Sequence, residues 1–218
     1  MKKITVLLTL VMLVISSCTT SRITSSWKSP TVHSQFYKKI LVLGLINEPD
    51  RTVRENMEQH VMTELRALGY DAVCSCEEFN PKTFENLTEQ QSLDKLGNSG
   101  VDGVLTIVLL DKQKEKSYVP GKMYFTPYVQ YQNRFYGYYR TMYTRVYDPG
   151  YYVENTKYFW ESNFYSLEGK DLVYSAQSQT FNPTDAHSLG EDYAKIIVKD
   201  LVKNSILAPA SQRQLKGM

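Results

Sequence analysis

Apolar and polar positions alternate differently in successive parts of the chain. Residues 4–15 are apolar apart from Thr5 and Thr9, and "TTSRITSSWKSPTVHSQ" (19–35) is rich in Ser and Thr with no sustained period. "YKKILVLGLI" then opens a run of β-branched and leucine residues that fits a buried strand. Val53, Met57, Val61, Leu65 and Leu68 recur at helical spacing behind Asp50, a good N-cap, and Gly69 stops the stripe. "YDAVCSC" reads as a short strand. Thr88 with Gln91 forms a capping box for a short helix through Leu93 and Leu96, closed by "GNSG". "VDGVLTIVLLD" is a third strand of the kind buried on both faces.

The last third repeats the logic with different elements. "TKYFWESNFYSL" and "DLVYSAQSQTF" flank "EGK", which predicts a β-hairpin. A final helix starts near Thr184 or Asp185, carries Leu189, Tyr193, Ile196, Ile197 and Leu201 on one side, and ends before Pro209. Continuous apolar strands separated by helices predict a mixed α+β and α/β domain of two or three layers. Its order is β-α-β-α-β, then a β-hairpin and a C-terminal helix.

Between the third strand and the hairpin lies a different text, "GKMYFTPYVQYQNRFYGYYRTMYTRVYDPGYY". Eleven of the 17 tyrosines fall between Tyr118 and Tyr152, interleaved with Arg134, Arg140 and Arg145. Tyrosine and arginine make adhesive surfaces from rigid rings, hydroxyls and guanidinium–π contacts. Three readings stay open for this Tyr-rich insertion (112–152): irregular strands packed on the body, a partner-binding surface, or a mobile or membrane-contacting loop. The candidate partner-binding residues are Tyr136, Tyr138, Tyr139, Arg140, Tyr143 and Arg145.

The N-terminus adds location. Lys2 and Lys3, the apolar run and Ser16–Ser17 have the layout of a secretory signal, and the run is about half of the roughly 20 residues a spanning helix needs. "ISSC" resembles a bacterial lipobox. The resemblance implies removal of a signal peptide (1–17) and lipidation of Cys18, where two or more acyl chains give stable anchoring. Residues 18–35 are then read as the lipidated cysteine and a flexible tether, 36–208 as a single domain, and 209–218 as a frayed tail. Thr19 and Thr20 follow the cysteine, and no acidic residue precedes Glu48. In Gram-negative lipoproteins an Asp after the cysteine resembles an inner-membrane retention signal, and an acidic run just downstream a surface-export signal. With neither here, the resemblance implies the outer membrane, facing the periplasm.

Charge and chemistry mostly exclude. Losing Lys2 and Lys3 lowers the 25 basic residues to 23, against 23 acidic ones, so the mature chain is formally neutral and no nucleic-acid partner is expected. Neither GxGxxG nor GxxxxGK[ST] occurs, and no cofactor is expected. His33, His60 and His187 stand in no metal spacing, and His60 reads as a solvated helix residue. Cys74 and Cys76 make a poor zinc pair. They are either small strand residues, a disulfide, or an oligomer-linking thiol in an oxidising compartment. Asp102, Asp111 and Glu161 could pair as glycosidase carboxylates do, but nothing selects two of them, and Asp102 reads as a turn into the strand. No catalytic residue and no metal site is assigned.

Taken together, "SSWKSP", "KKILVLGL", "RENMEQHVMTELRALGYDA", "GVDGVLTIVLLD", "YFWESNFYSLEGKDLVYSAQSQT" and "AKIIVKDLVKN" resemble a family of bacterial envelope lipoproteins. The element order is similar to the small α/β domain of the TolB N-terminal domain, the penicillin-binding-protein activator LpoB and the curli secretion lipoprotein CsgG. Such a likeness implies protein–protein work in the envelope and transfers no site residues. The expectation is a non-enzymatic, membrane-anchored adaptor for an envelope protein or cell-wall polymer. Its alternatives are a self-assembling homo-oligomeric or secretion component, and a hydrolase on envelope glycans or lipids.

Overall fold

The computed structural model describes residues 20–30, 36–79, 81–119 and 150–208. They form β1 (Ser21–Lys28), β2 (Lys39–Leu45), α1 (Arg51–Ala67), β3 (Asp71–Cys74), a 3₁₀ turn (Pro81–Phe84) and α2 (Glu89–Asn98). β4 (Gly103–Val119), β5 (Tyr151–Ser166), β6 (Asp171–Phe181) and α3 (Ala186–Lys203) follow. No helix among the described residues is long and apolar enough to cross a membrane. The chain divides into two compact units, Gln113–Thr156 and the remainder.

In the larger unit the sheet order is β1-β6-β5-β4-β2-β3, so the fold is the expected mixed α/β domain. β2 pairs in parallel with β3 and β4, while β6 pairs antiparallel with β5 and β1. The period-2 alternation of strands explains the layers. Ile40 and Val42 of β2 point to one face with Leu105, Ile107, Trp160 and Phe164, under α1 and α3. Leu41 and Val104 point to the other, under Leu96 of α2. Each of these buried side chains stabilises by up to about 1.5–3 kcal/mol relative to exposure, and a sheet sandwiched this way accounts for the unbroken apolar strands.

The helices start and stop where their caps dictate. The Asp50 side chain accepts from Thr52 N–H, Thr88 and Gln91 bond reciprocally, and Asp185 does the same with Ser188. Gly69 turns out of α1 with φ 83°, a conformation glycine adopts without strain. α1 and α3 pack closely because α3 carries Gly190 at their crossing. A Cβ there would stand 2.8 Å from the Asn56 carbonyl oxygen and 2.9 Å from the His60 ring.

Two expectations need correction. Residues 21–28 are not a tether but the edge strand β1, held by β6 through seven residue pairs from Ser21↔Thr180 to Lys28↔Tyr174. Small polar contacts replace apolar ones here: Ser21 Oγ and Thr180 Oγ1 lie 2.7 Å apart and buried. β4 also runs past Asp111 as far as Val119. Within the smaller unit, Lys114 Nζ lies 3.1 Å from Glu154, and the rings of Tyr118 and Tyr152 lie 5.1 Å apart. The Lys114 ammonium holds the exposed Glu154 carboxyl below its ordinary range.

Candidate functional site: a cationic pocket over a buried glutamate

Parallel strands of an α/β sheet leave a crevice beyond their carboxyl ends, where ligands commonly bind. Here the carboxyl end of β2 and the first turn of α1 border a pocket of about 550 Å³ lined by Gly44, Asn47, Glu48, Arg51, Arg54 and Lys82, among others. Its lining holds three cations and one carboxylate. That carboxylate, Glu48, is bonded to Lys112 Nζ at 2.7 Å. α1 has no acidic residue in its first turn and carries Arg51 there. A cation at that position opposes the helix dipole, so helix stability does not explain the arginine.

Below the pocket lies Glu58, fully buried on α1. Its Oε1 accepts from Gly44 N–H at 2.8 Å and from Ser75 Oγ–H at 2.6 Å, and its Oε2 accepts from Cys76 N–H at 3.0 Å. Arg54 Nε lies 3.9 Å from Oε1 and has no other partner among the described residues. Burial drives the Glu58 carboxyl above its ordinary value of 4.5, against the opposing pull of Ser75, Gly44, Cys76 and Arg54. Gly44 is required for this arrangement. A Cβ there would stand 2.7 Å from Glu58 Oε1 and 2.8 Å from Arg54 Cγ. The lone glycine of β2 thus makes room for a carboxylate that ties α1 to the ends of β2 and β3.

Cys74 and Cys76 are joined in a disulfide with Cα atoms 5.1 Å apart, the second of the readings their spacing left open. With Glu58 they form the His/Cys/Asp/Glu group among the described residues whose ligand atoms lie within 4.8 Å of one another. The disulfide leaves neither sulfur as a thiolate ligand. The pocket therefore offers guanidinium and ammonium groups suited to an anion, above a carboxylate already committed to three hydrogen-bond donors and facing Arg54.

Other sequence-selected residues are dispersed. His60 is not simply solvated: it is half-buried, and its ring meets that of His187 edge-on at 4.5 Å. Asp102 accepts from the backbone N–H groups of Lys38 and Lys39 at 2.8–3.0 Å. Asp111 accepts from Lys112 N–H and Glu161 from Asn163 Nδ2, so the three carboxylates are engaged separately. Cys18, His33, the tail 209–218 and all six candidate partner-binding residues (Tyr136, Tyr138, Tyr139, Arg140, Tyr143, Arg145) lie outside the described residues. Reading the sequence passed over Glu58. Two signals could have flagged it: a carboxylate one residue from Met57 on the buried stripe, and a solitary glycine inside an otherwise apolar strand.

The fold and pocket define an α/β domain with a cationic crevice at the carboxyl edge of its parallel strands. No protein-family profile and no curated protein matches the chain. Among solved structures it is similar to the PelC dodecamer from Paraburkholderia phytofirmans, at 13% identity over 87% of this chain and 99% of that one, with TM-score 0.44. It is also similar to lipoprotein GNA1162 from Neisseria meningitidis, at 13% identity over 76% and 98%, with TM-score 0.41. Likenesses at this level carry no functional weight.

Proposed function

We propose that the protein is a lipid-anchored envelope lipoprotein that works by binding, as an adaptor for an envelope protein or polymer. In this reading it sits in the outer membrane, facing the periplasm, with Cys18 acylated. The observation that supports it is spatial. Only Thr19 and Thr20 separate Cys18 from β1, which begins at Ser21. Thr20 is pinned to the fold, since Asp192 accepts from its N–H at 3.0 Å and from its hydroxyl at 2.6 Å. A membrane-bound cysteine would therefore hold the domain itself at the surface, a geometry suited to presenting a binding face.

The Tyr/Arg-rich segment is the partner-binding face in this account. The test is capture from crosslinked envelopes with Cys18 intact, comparing wild type with a chain in which Tyr136, Tyr138, Tyr139 and Arg140 are replaced. Loss of a specific partner with unchanged circular dichroism is the expected result, and unchanged capture overturns the assignment.

A further inference from the structure

The Cys74–Cys76 disulfide joins residues only two apart in sequence, with Cα atoms 5.1 Å apart. As a staple it does little. A disulfide stabilises mainly by restricting the unfolded chain, and that effect grows with the loop it closes; this one closes over Ser75 alone. β3 is already held by its parallel pairing with β2, and Ser75 N–H donates to the Val42 carbonyl at 2.9 Å. Ser75 Oγ–H and Cys76 N–H add two bonds to Glu58. Stability therefore does not account for the pair.

Its surroundings point to chemistry instead. Cys74 is fully buried at the carboxyl end of β3, whereas Cys76, in the turn that follows, is only partly buried. The two sulfurs and a Glu58 carboxyl oxygen lie within 4.8 Å of one another. Among the described residues Glu58 Oε1 accepts from Gly44 and Ser75, but Oε2 accepts from Cys76 N–H alone. A second lone pair on Oε2 is thus left for a proton. Burial favours the protonated form of this carboxyl over the ionised one.

We propose that Cys74–Cys76 is a redox-active disulfide that oxidises protein dithiols, with Cys76 the sulfur attacked, Cys74 the leaving group and Glu58 the proton donor to Cys74. The inference goes beyond the adaptor reading and does not depend on acylation of Cys18. A substrate thiolate attacks Cys76 Sγ, the S–S bond breaks, and its electron pair passes to Cys74 Sγ, which takes the Glu58 proton. A mixed disulfide is left at Cys76. The substrate's second thiol gives its proton to solvent and attacks the substrate sulfur in that mixed disulfide. This forms the substrate disulfide and releases Cys76 as a thiolate, which takes a proton from water, as Glu58 does. The dithiol loses two electrons and two protons, and the cysteine pair gains them. The same exchange run in reverse with another protein disulfide restores the pair. A buried thiolate without a partner is costly, so the proton donor belongs beside the buried sulfur.

The test uses the full oxidised chain with dithiothreitol as the probe dithiol. The reaction is quenched in acid, thiols are alkylated, and the peptide holding Cys74 and Cys76 is quantified by mass. The folded chain should be reduced about tenfold faster than the same chain unfolded in urea. An equal or slower folded rate marks an inert structural disulfide and overturns the proposal. Cys74→Ser should let oxidised glutathione form a mixed disulfide at Cys76, whereas Cys76→Ser should leave Cys74 unlabelled. Labelling of both alike, or of Cys74 alone, overturns the choice of attacked sulfur. Glu58→Gln should slow reduction of the folded chain about a hundredfold. In a Cys74→Ser background the same change should leave glutathione labelling of Cys76 as fast as before. No effect on reduction, or equal loss of both reactions, overturns the proton-donor role. If Glu58→Gln does not fold, heavy water decides: it should slow reduction of the folded wild type more than of the unfolded chain, and equal slowing overturns the role.

Discussion

The two ends of the large sheet are built to different rules. At the end where β2 and β4 begin, the backbone is sealed. Asp102 caps the N–H groups entering β2, and the ring of Tyr37 packs edge-on to Phe164 at 4.8 Å. Gly103 fits between these rings because a Cβ would stand 2.9 Å from one and 3.0 Å from the other. At the opposite end, where β2 gives way to α1, there is a pocket rimmed by cations, and the closure is withdrawn one layer to Glu58. The difference separates two demands on one fold: one end closes the core, and the other leaves charged groups where a ligand can reach them.

That comparison can be broken by substitution, beginning where the effect is largest. Phe164→Ala at the sealed end should cost about 3–5 kcal/mol of unfolding free energy, since it empties a fully buried site. Urea titration would measure it, and a loss below about 1 kcal/mol would mean the end is not sealed by packing. Glu58→Ala should cost about 3 kcal/mol or more, because it strands three donors and leaves Arg54 without a counter-charge. The smaller loss expected of Glu58→Gln keeps the shape and part of the bonding. Asp102→Ala should cost about 1–3 kcal/mol, by leaving two backbone N–H groups without their acceptor.

At the open end the effects are smaller and of another kind. Burial, then the neighbouring His187 charge, holds His60 below its ordinary value of 6.5, with Lys195 acting in the same sense and Glu191 and Glu64 against it. A base whose folded value is lowered keeps its full contribution above the unfolded value and loses it as pH falls. Stability should therefore decline as pH drops below 6.5, and His60→Gln should flatten that decline in thermal melts at matched ionic strength. Arg51→Ala, on an exposed rim, should change stability by no more than about 0.5 kcal/mol. A large loss there would make Arg51 a structural residue and remove the contrast between the ends.

Much of the sealed architecture was legible because it is written in local rules. Asp50, Thr88 with Gln91, Asp185 and Gly69 each do in the structure what their type and position dictate. Strands β2 and β4 declared themselves by unbroken apolar runs. β1 did not, because an edge strand buried through Ser21 against Thr180 needs few apolar residues and reads as Ser/Thr-rich coil. The outer part of β4, "KQKEKSYV", is polar on both sides and gives no period for a strand to be read from. The buried glutamate beneath the pocket was illegible for a different reason. Gly44, Glu58 and Ser75 come from β2, α1 and the turn after β3, and only the parallel pairing of β2 with β3 brings them together.

The corrected start of the fold bears on the proposed anchor, since a lipidated Cys18 would be joined to β1 by two residues instead of a long tether. The account's central claim is the covalent anchor, and the direct measurement is the mass of the mature N-terminal peptide from purified envelopes. A peptide beginning at Cys18 and carrying a diacylglyceryl group with an amide-linked acyl chain is predicted, lost in Cys18→Ser. A mature chain that begins elsewhere, or a Cys18 recovered without lipid, would contradict it.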